Sequence, residues 1–187
     1  LVYKVVDQSI QPGDGGFGFS TELNLNYQFT RKFSVYGTAF YLFNPRNTNG
    51  VKRRDDLELG IPNTPSSAIA LSNEFSVADQ YLFRLGVSYQ IKRVVVSLGG
   101  RYEGVAAEDL IGDSDGFRRP GYIISIEPSA VYSFGRSALA LNLPIAWKRN
   151  RVQNTIDMAK SEMQGTEIIG DAAFADWLLS ISYSYKL

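Results

Sequence analysis

The sequence predicts an all-β fold, a transmembrane antiparallel up-and-down β-barrel with about eight strands, as a single domain over residues 1–187. Three observations carry that expectation. Every second side chain is apolar over segments of about a dozen residues, aromatics sit at both ends of those segments, and the connections alternate between short and long. Successive side chains of a strand point to opposite faces, so each segment has one apolar and one polar face.

The elements follow in order. Residues 1–8 offer a strand shorter than its neighbours, as though it began partway up the wall, so further strands are expected before Leu1. Residues 17–29 show the purest alternation, with Phe17, Phe19, Thr21, Leu23, Leu25, Tyr27 and Phe29 on one face. The other face carries Gly18, Ser20, Glu22, Asn24, Asn26 and Gln28. In 33–43 the signal weakens, because Tyr36, Phe40 and Leu42 fall on the polar side. The remaining strands are expected at 80–91, 94–104, 121–134, 137–148 and 174–187. The penultimate one presents Leu139, Leu141, Leu143, Ile145 and Trp147 as its apolar row.

Composition agrees with a barrel. No window of about eighteen apolar residues exists, so no transmembrane helix is predicted. Spreading hydrophobicity over alternate positions leaves the mean hydropathy near neutral, at -0.12. The 19 basic and 19 acidic residues cancel, which removes the global field that a nucleic-acid partner needs. With no Cys, neither disulfides nor thiolate metal sites hold the fold. With no His, Ser-His-Asp hydrolysis, an Asp-His protease pair and the commonest metal ligand are all absent. The carboxylate pairs Glu108 with Asp109 and Asp55 with Asp56 lie in charged loops and read as solvated surface rather than a glycosidase pair. No enzymatic activity and no cofactor are expected. No signal peptide is visible and the chain opens with Leu, as a processed protein or a fragment would.

Connection lengths set the orientation. The short ones are 30–32, 92–93 and 135–136; the long ones are 44–80, 105–119 and 149–173. Barrels of the bacterial outer membrane have short periplasmic turns and long external loops, which makes outer-membrane lipids the expected surroundings. Phe17, Phe19, Tyr41, Phe43, Tyr81, Phe83, Tyr102, Tyr122, Trp147 and Trp177 then fall near the outer interface. Tyr27, Phe29, Phe33, Tyr89, Tyr132, Phe134, Tyr183 and Tyr185 fall near the inner one, at the level that amphipathic rings favour. A soluble lipocalin-type barrel, with its apolar face inward, explains the alternation but neither the doubled girdle nor the asymmetric connections.

Four groups of residues are candidates for function. Counted from the short turns, Glu22, Arg84, Arg101 and Glu127 all lie seven residues up with polar-face parity. Arg84 and Arg101 are expected to be directly cross-strand, since 91 pairs with 94, and Glu22 and Glu127 supply the acids that two adjacent guanidinium groups need. Such an ionic layer is a structural plug in a narrow barrel and a selective constriction in a wider one. Pro128 and Pro144 fall in neighbouring strands beside Glu127; neither can donate to the ladder, so a bulge or kink is expected there. Asp109, Asp113 and Asp115 resemble part of a calcium loop, but the position that needs a bidentate Glu is Pro120, and a turn-rich loop is the plainer reading. The run Lys52-Arg53-Arg54-Asp55-Asp56 is mixed in sign and reads as solvated.

The stretches PGDGGFGFSTELN (12–24), YGTAFYLFNPRNTNG (36–50), SVADQYLFRLGVSYQ (76–90) and GFRRPGYIISIEPSAVYSF (116–134) resemble the outer-membrane family of transporters from the phenol meta-degradation pathway, in its Bacteroidota form. Members of that family are longer, which implies additional N-terminal strands and a barrel of about a dozen. The resemblance implies passage of small molecules, hydrophobic ones among them, and carries no catalytic motif. The closing Tyr183-Ser184-Tyr185-Lys186-Leu187 is similar to the C-terminal assembly signal of such barrels, with Leu in place of the usual Phe. The expected function is an outer-membrane channel or uptake transporter for a small-molecule solute. The alternative is a plugged barrel that anchors or joins an envelope complex through protein partners, displaying the loop 44–79.

Overall fold

Alternating side chains become one curled antiparallel sheet in the computed structural model, which describes residues 15–52, 74–170 and 175–187. Its strands are β1 (Phe19–Gln28), β2 (Phe33–Phe43), β3 (Gln80–Ile91), β4 (Val94–Val105), β5 (Gly121–Phe134), β6 (Ser137–Asn142), β7 (Ile145–Arg151) and β8 (Ser180–Tyr185). Their order is β1-β2-β3-β4-β5-β6-β8, with β7 also on β5. The strand expected at 1–8 lies outside the described residues.

The count of eight has a different origin from the one expected. β6 and β7 are two halves of a single crossing that both pair with β5, separated at Leu143 and Pro144. A second irregularity lies at the end of the apolar row expected on this crossing, whose Leu139, Leu141, Ile145 and Trp147 are exposed. Ile124 pairs with Lys148 but Ser125 pairs with Ala146, so Trp147 is an extra residue and the facing reverses beyond it. Lys148 thereby joins the apolar side, where its ammonium lies 6.0 Å from the centre of the Tyr122 ring.

The faces differ in exposure. Leu25, Leu85, Leu98 and Ile181 of the apolar rows are 63%, 67%, 55% and 64% exposed. In β3, β4 and β5 the alternate residues Arg84, Gly86, Ser88, Gly99, Arg101 and Glu127 are half-buried or buried. The apolar face is therefore the outer one, the reverse of a lipocalin-type barrel.

The described strands form a curled half-barrel rather than a closed one. β1 and β8 are its two edges, and seven alternating crossings leave both running from the loop end to the turn end. A ladder between them would be parallel, so this sheet cannot close on itself in antiparallel fashion. At the turn end, Lys92 adopts φ 54 and Gly135 φ 58, the left-handed conformation that two-residue hairpin turns require. At the loop end, Phe75, Phe117 and Ile156 form a small core against which Val51 packs.

That core contains an element the sequence reading did not foresee, the helix α1 (Thr155–Gln164), inside a connection expected to be irregular. The Asn154 side chain accepts from the backbone N–H groups of Ile156 and Asp157, and the Asp157 side chain closes the reciprocal capping box. Gly165 ends the helix at φ 66.

Candidate functional site

Three hydrogen-bonded rows cross the inner face. The upper row holds Glu22, Phe40, Leu82, Glu103 and Ile123; the middle row Asn24, Thr38, Arg84, Arg101 and Ser125; the lower row Asn26, Tyr36, Gly86, Gly99 and Glu127. Arg84 and Arg101 are directly cross-strand, and Ile91 pairs with Val94. Arg84 reaches diagonally to Glu127, with Nε to Oε2 at 2.8 Å and Nη2 to Oε1 at 2.5 Å. Asn142, beside the strand break, also donates to Oε1 of Glu127.

The remaining two members of the expected ionic layer do not join that pair. Arg101 bonds instead to Glu103 of its own strand, at 2.5 Å. Glu22 lies in the row above the arginines and accepts from Asn24 Nδ2 at 2.5 Å. The physical reason is stagger. Val94 pairs with Tyr132 rather than Phe134, and Phe33 pairs with Tyr89 rather than Ile91. Equal counts from the turns therefore do not bring residues into one row.

Glu127 is fully buried, and the lower row explains how. Gly86 and Gly99 leave a notch into which the Tyr36 ring from β2 lies flat; a Cβ on Gly86 would come within 2.5 Å of the Tyr36 ring and hydroxyl. The Arg84 guanidinium stands 5.9 Å from the centre of that ring. Glu127, Arg84, Asn142 and Tyr36 thus form a packed floor. Above it is a recess of about 590 Å³ lined by Glu22, Arg84, Arg101 and Glu103 together with Phe40, Leu82 and Ile123. A recess that sets charged groups among apolar ones can hold a small molecule that has both an apolar body and a polar group.

Pro128 and Pro144 flank this floor. β5 passes through Pro128 without interruption, its carbonyl accepting from Leu143 N–H at 3.1 Å. The crossing opposite it breaks at Pro144, whose carbonyl accepts from Leu178 N–H of the next chain segment at 3.1 Å.

The loop end holds polar residues that sequence reasoning missed. Asp79 is fully buried and accepts from Tyr41 Oη at 2.8 Å, Asn44 N–H at 2.7 Å and Leu110 N–H at 2.9 Å. Asp109, expected on a solvated loop, is buried against Arg118, whose two terminal nitrogens each donate to it at 2.8 Å. Asp109 Oδ1 also accepts from Asp79 N–H at 2.8 Å, and Arg118 bonds Ser76 as well. These bonds tie the segments around Asn44, Asp79, Asp109 and Arg118 into one cap. The calcium pattern is correspondingly dispersed: Asp109 is engaged by Arg118, Asp115 by Asn47, and Asp113 is exposed. Among the described residues no three acids are grouped to hold a metal ion. The acidic pair Asp55 and Asp56, with Arg53 and Arg54, lies outside the described residues.

Comparison of the chain with models of protein families, with curated proteins and with solved structures finds no match.

Proposed function

We propose that this chain forms the wall of an outer-membrane channel or uptake transporter for small molecules, hydrophobic ones among them. One observation carries the reading: a sheet whose exposed outer face is apolar and whose inner face is polar, charged and recessed. In water such an outer face would be covered by a partner or would aggregate; in a bilayer it is matched to its solvent. Unpaired backbone groups on the edges of β1 and β8 are costly in lipid. Since both edges run the same way, antiparallel closure needs an odd number of further strands. The resemblance to transporters of the phenol meta-degradation pathway supports the same reading.

A second reading is favoured by the packed floor of Tyr36, Arg84, Glu127 and Asn142, which would suit a plugged barrel serving as anchor or envelope-complex subunit. Planar-bilayer recording separates the two. A channel gives stepwise conductance whose selectivity moves toward anions in Glu127→Gln, because a lumen carboxylate is neutralised. Silence in both proteins, with normal insertion, leaves the anchor.

A further inference from the structure

Every connection at the turn end is basic. Arg31 and Lys32 join β1 to β2, Lys92 and Arg93 join β3 to β4, Arg136 joins β5 to β6, and Lys186 follows β8. Lys186 N–H donates to the Arg136 carbonyl at 2.9 Å, so the last two share one site. All six residues are exposed, and no ion pair among the described residues involves them. No Asp or Glu occurs in 27–35, 87–98, 130–141 or 180–187. The chain as a whole has 19 residues of each sign, so the segregation is positional and not a matter of composition. The loop end is different, for there Arg118 meets Asp109 and Arg149 meets Asp176.

Immediately inside this collar the outer face carries Tyr89, Tyr132 and Tyr183, 44%, 46% and 63% exposed. Tyrosines with one apolar and one wet end settle at the headgroup level of a bilayer. Residues one step beyond them reach the layer of phosphate oxygens, and the long stems of Lys and Arg allow their charges to do so. Arg can grip a phosphate with two parallel N–H groups, and Lys adds a compact charge.

We infer that the six-residue collar binds the headgroups of anionic phospholipids in the leaflet at the turn end. The inference rests on the transmembrane reading above and adds to it a lipid preference and a place for that preference on the molecule.

The test uses the whole protein in vesicles of phosphatidylcholine containing phosphatidylglycerol, with trace spin-labelled lipid of either class to measure which one the protein immobilises. The association constant for phosphatidylglycerol should exceed that for phosphatidylcholine about threefold or more at low salt. It should fall toward equality in 1 M salt, where the Debye length is roughly 3 Å. Replacing Arg31, Lys32, Lys92, Arg93, Arg136 and Lys186 with Gln should abolish the preference, whereas Lys160→Gln, on α1, should leave it intact. Should the sixfold variant fail to fold, Lys92→Gln with Arg93→Gln should still lower the preference. Equal association constants in the unaltered protein, or a preference undiminished in the variants, would overturn the inference. Binding of soluble polyglutamate without any lipid preference would overturn it too, in favour of an acidic protein partner. Failure of the transmembrane reading looks different: neither labelled lipid would be immobilised at all.

Discussion

The wall and the cap place their polar atoms by different rules. In the wall, Leu25, Leu85 and Ile181 are more than three-fifths exposed while Glu127 is fully buried; in the cap, Phe75, Phe117 and Ile156 are buried around a small core. The cap also buries the side chains of Asp79, Asp109 and Arg118: Arg118 pairs with Asp109, both carboxylates accept backbone N–H groups, and Arg118 Nε is left without a partner among the described residues. The cap is therefore built like a small water-soluble domain, with apolar groups inside and inner charges paired. The wall has its apolar groups outside. That contrast is what the proposed function asks for, a wall in lipid that carries a cap in water.

The largest expected effect tests the cap. Arg118→Met would leave Asp109 buried without its cation and should destabilise by about 3–5 kcal/mol. Denaturant unfolding followed by protease sensitivity of residues 105–119 checks this, and an unaltered midpoint would mean that water reaches Asp109.

Next comes the wall. Leu141→Arg places a cation on the outer face and should cost roughly 2–4 kcal/mol in reversible unfolding from bilayers. The same change on a face that meets water would be near neutral. A neutral result would break the contrast drawn here and return the fold to the soluble class.

A smaller effect compares the two faces at nearly one height. Gly86→Ala forces a methyl group against Tyr36 and should cost about 1–3 kcal/mol by overpacking. Gly100→Ala, whose new methyl group meets nothing within 4 Å, should cost much less. Thermal stability of the paired variants reads the difference directly. Smallest is Asn154→Ala, which removes the α1 cap at a cost of about 0.5–2 kcal/mol and should loosen the cap while leaving the strand signal in circular dichroism unchanged.

Much of the wall was legible because period-two alternation is a local signal that survives without knowledge of neighbours. The bulge at Trp147 was not, since no Gly or Pro marks it and only the pairing of Ser125 with Ala146 exposes the extra residue. The helix α1 had a usable signal in Asn154 and Asp157 three apart with Gly165 after the last turn, within a long connection between strands. The cap network had none, because Asp79 and Asp109 meet across 30 residues of sequence.

The sequence by itself determined the strands from 17 to 134, the polar and apolar faces, the short basic turns and the cross-strand adjacency of Arg84 and Arg101, all of which follow from side-chain alternation and a two-residue turn; it did not determine the division of 137–148 into β6 and β7 or the shortness of β8. Tertiary structure alone decided that Glu127 and not Glu22 meets Arg84. The stagger between neighbouring hairpins sets which rows touch, and that stagger arises from the pairing of whole strands rather than from any one segment. It likewise decided that Asp109 is buried, because a loop carboxylate is withdrawn from water only when other loops bring it a cation and backbone donors.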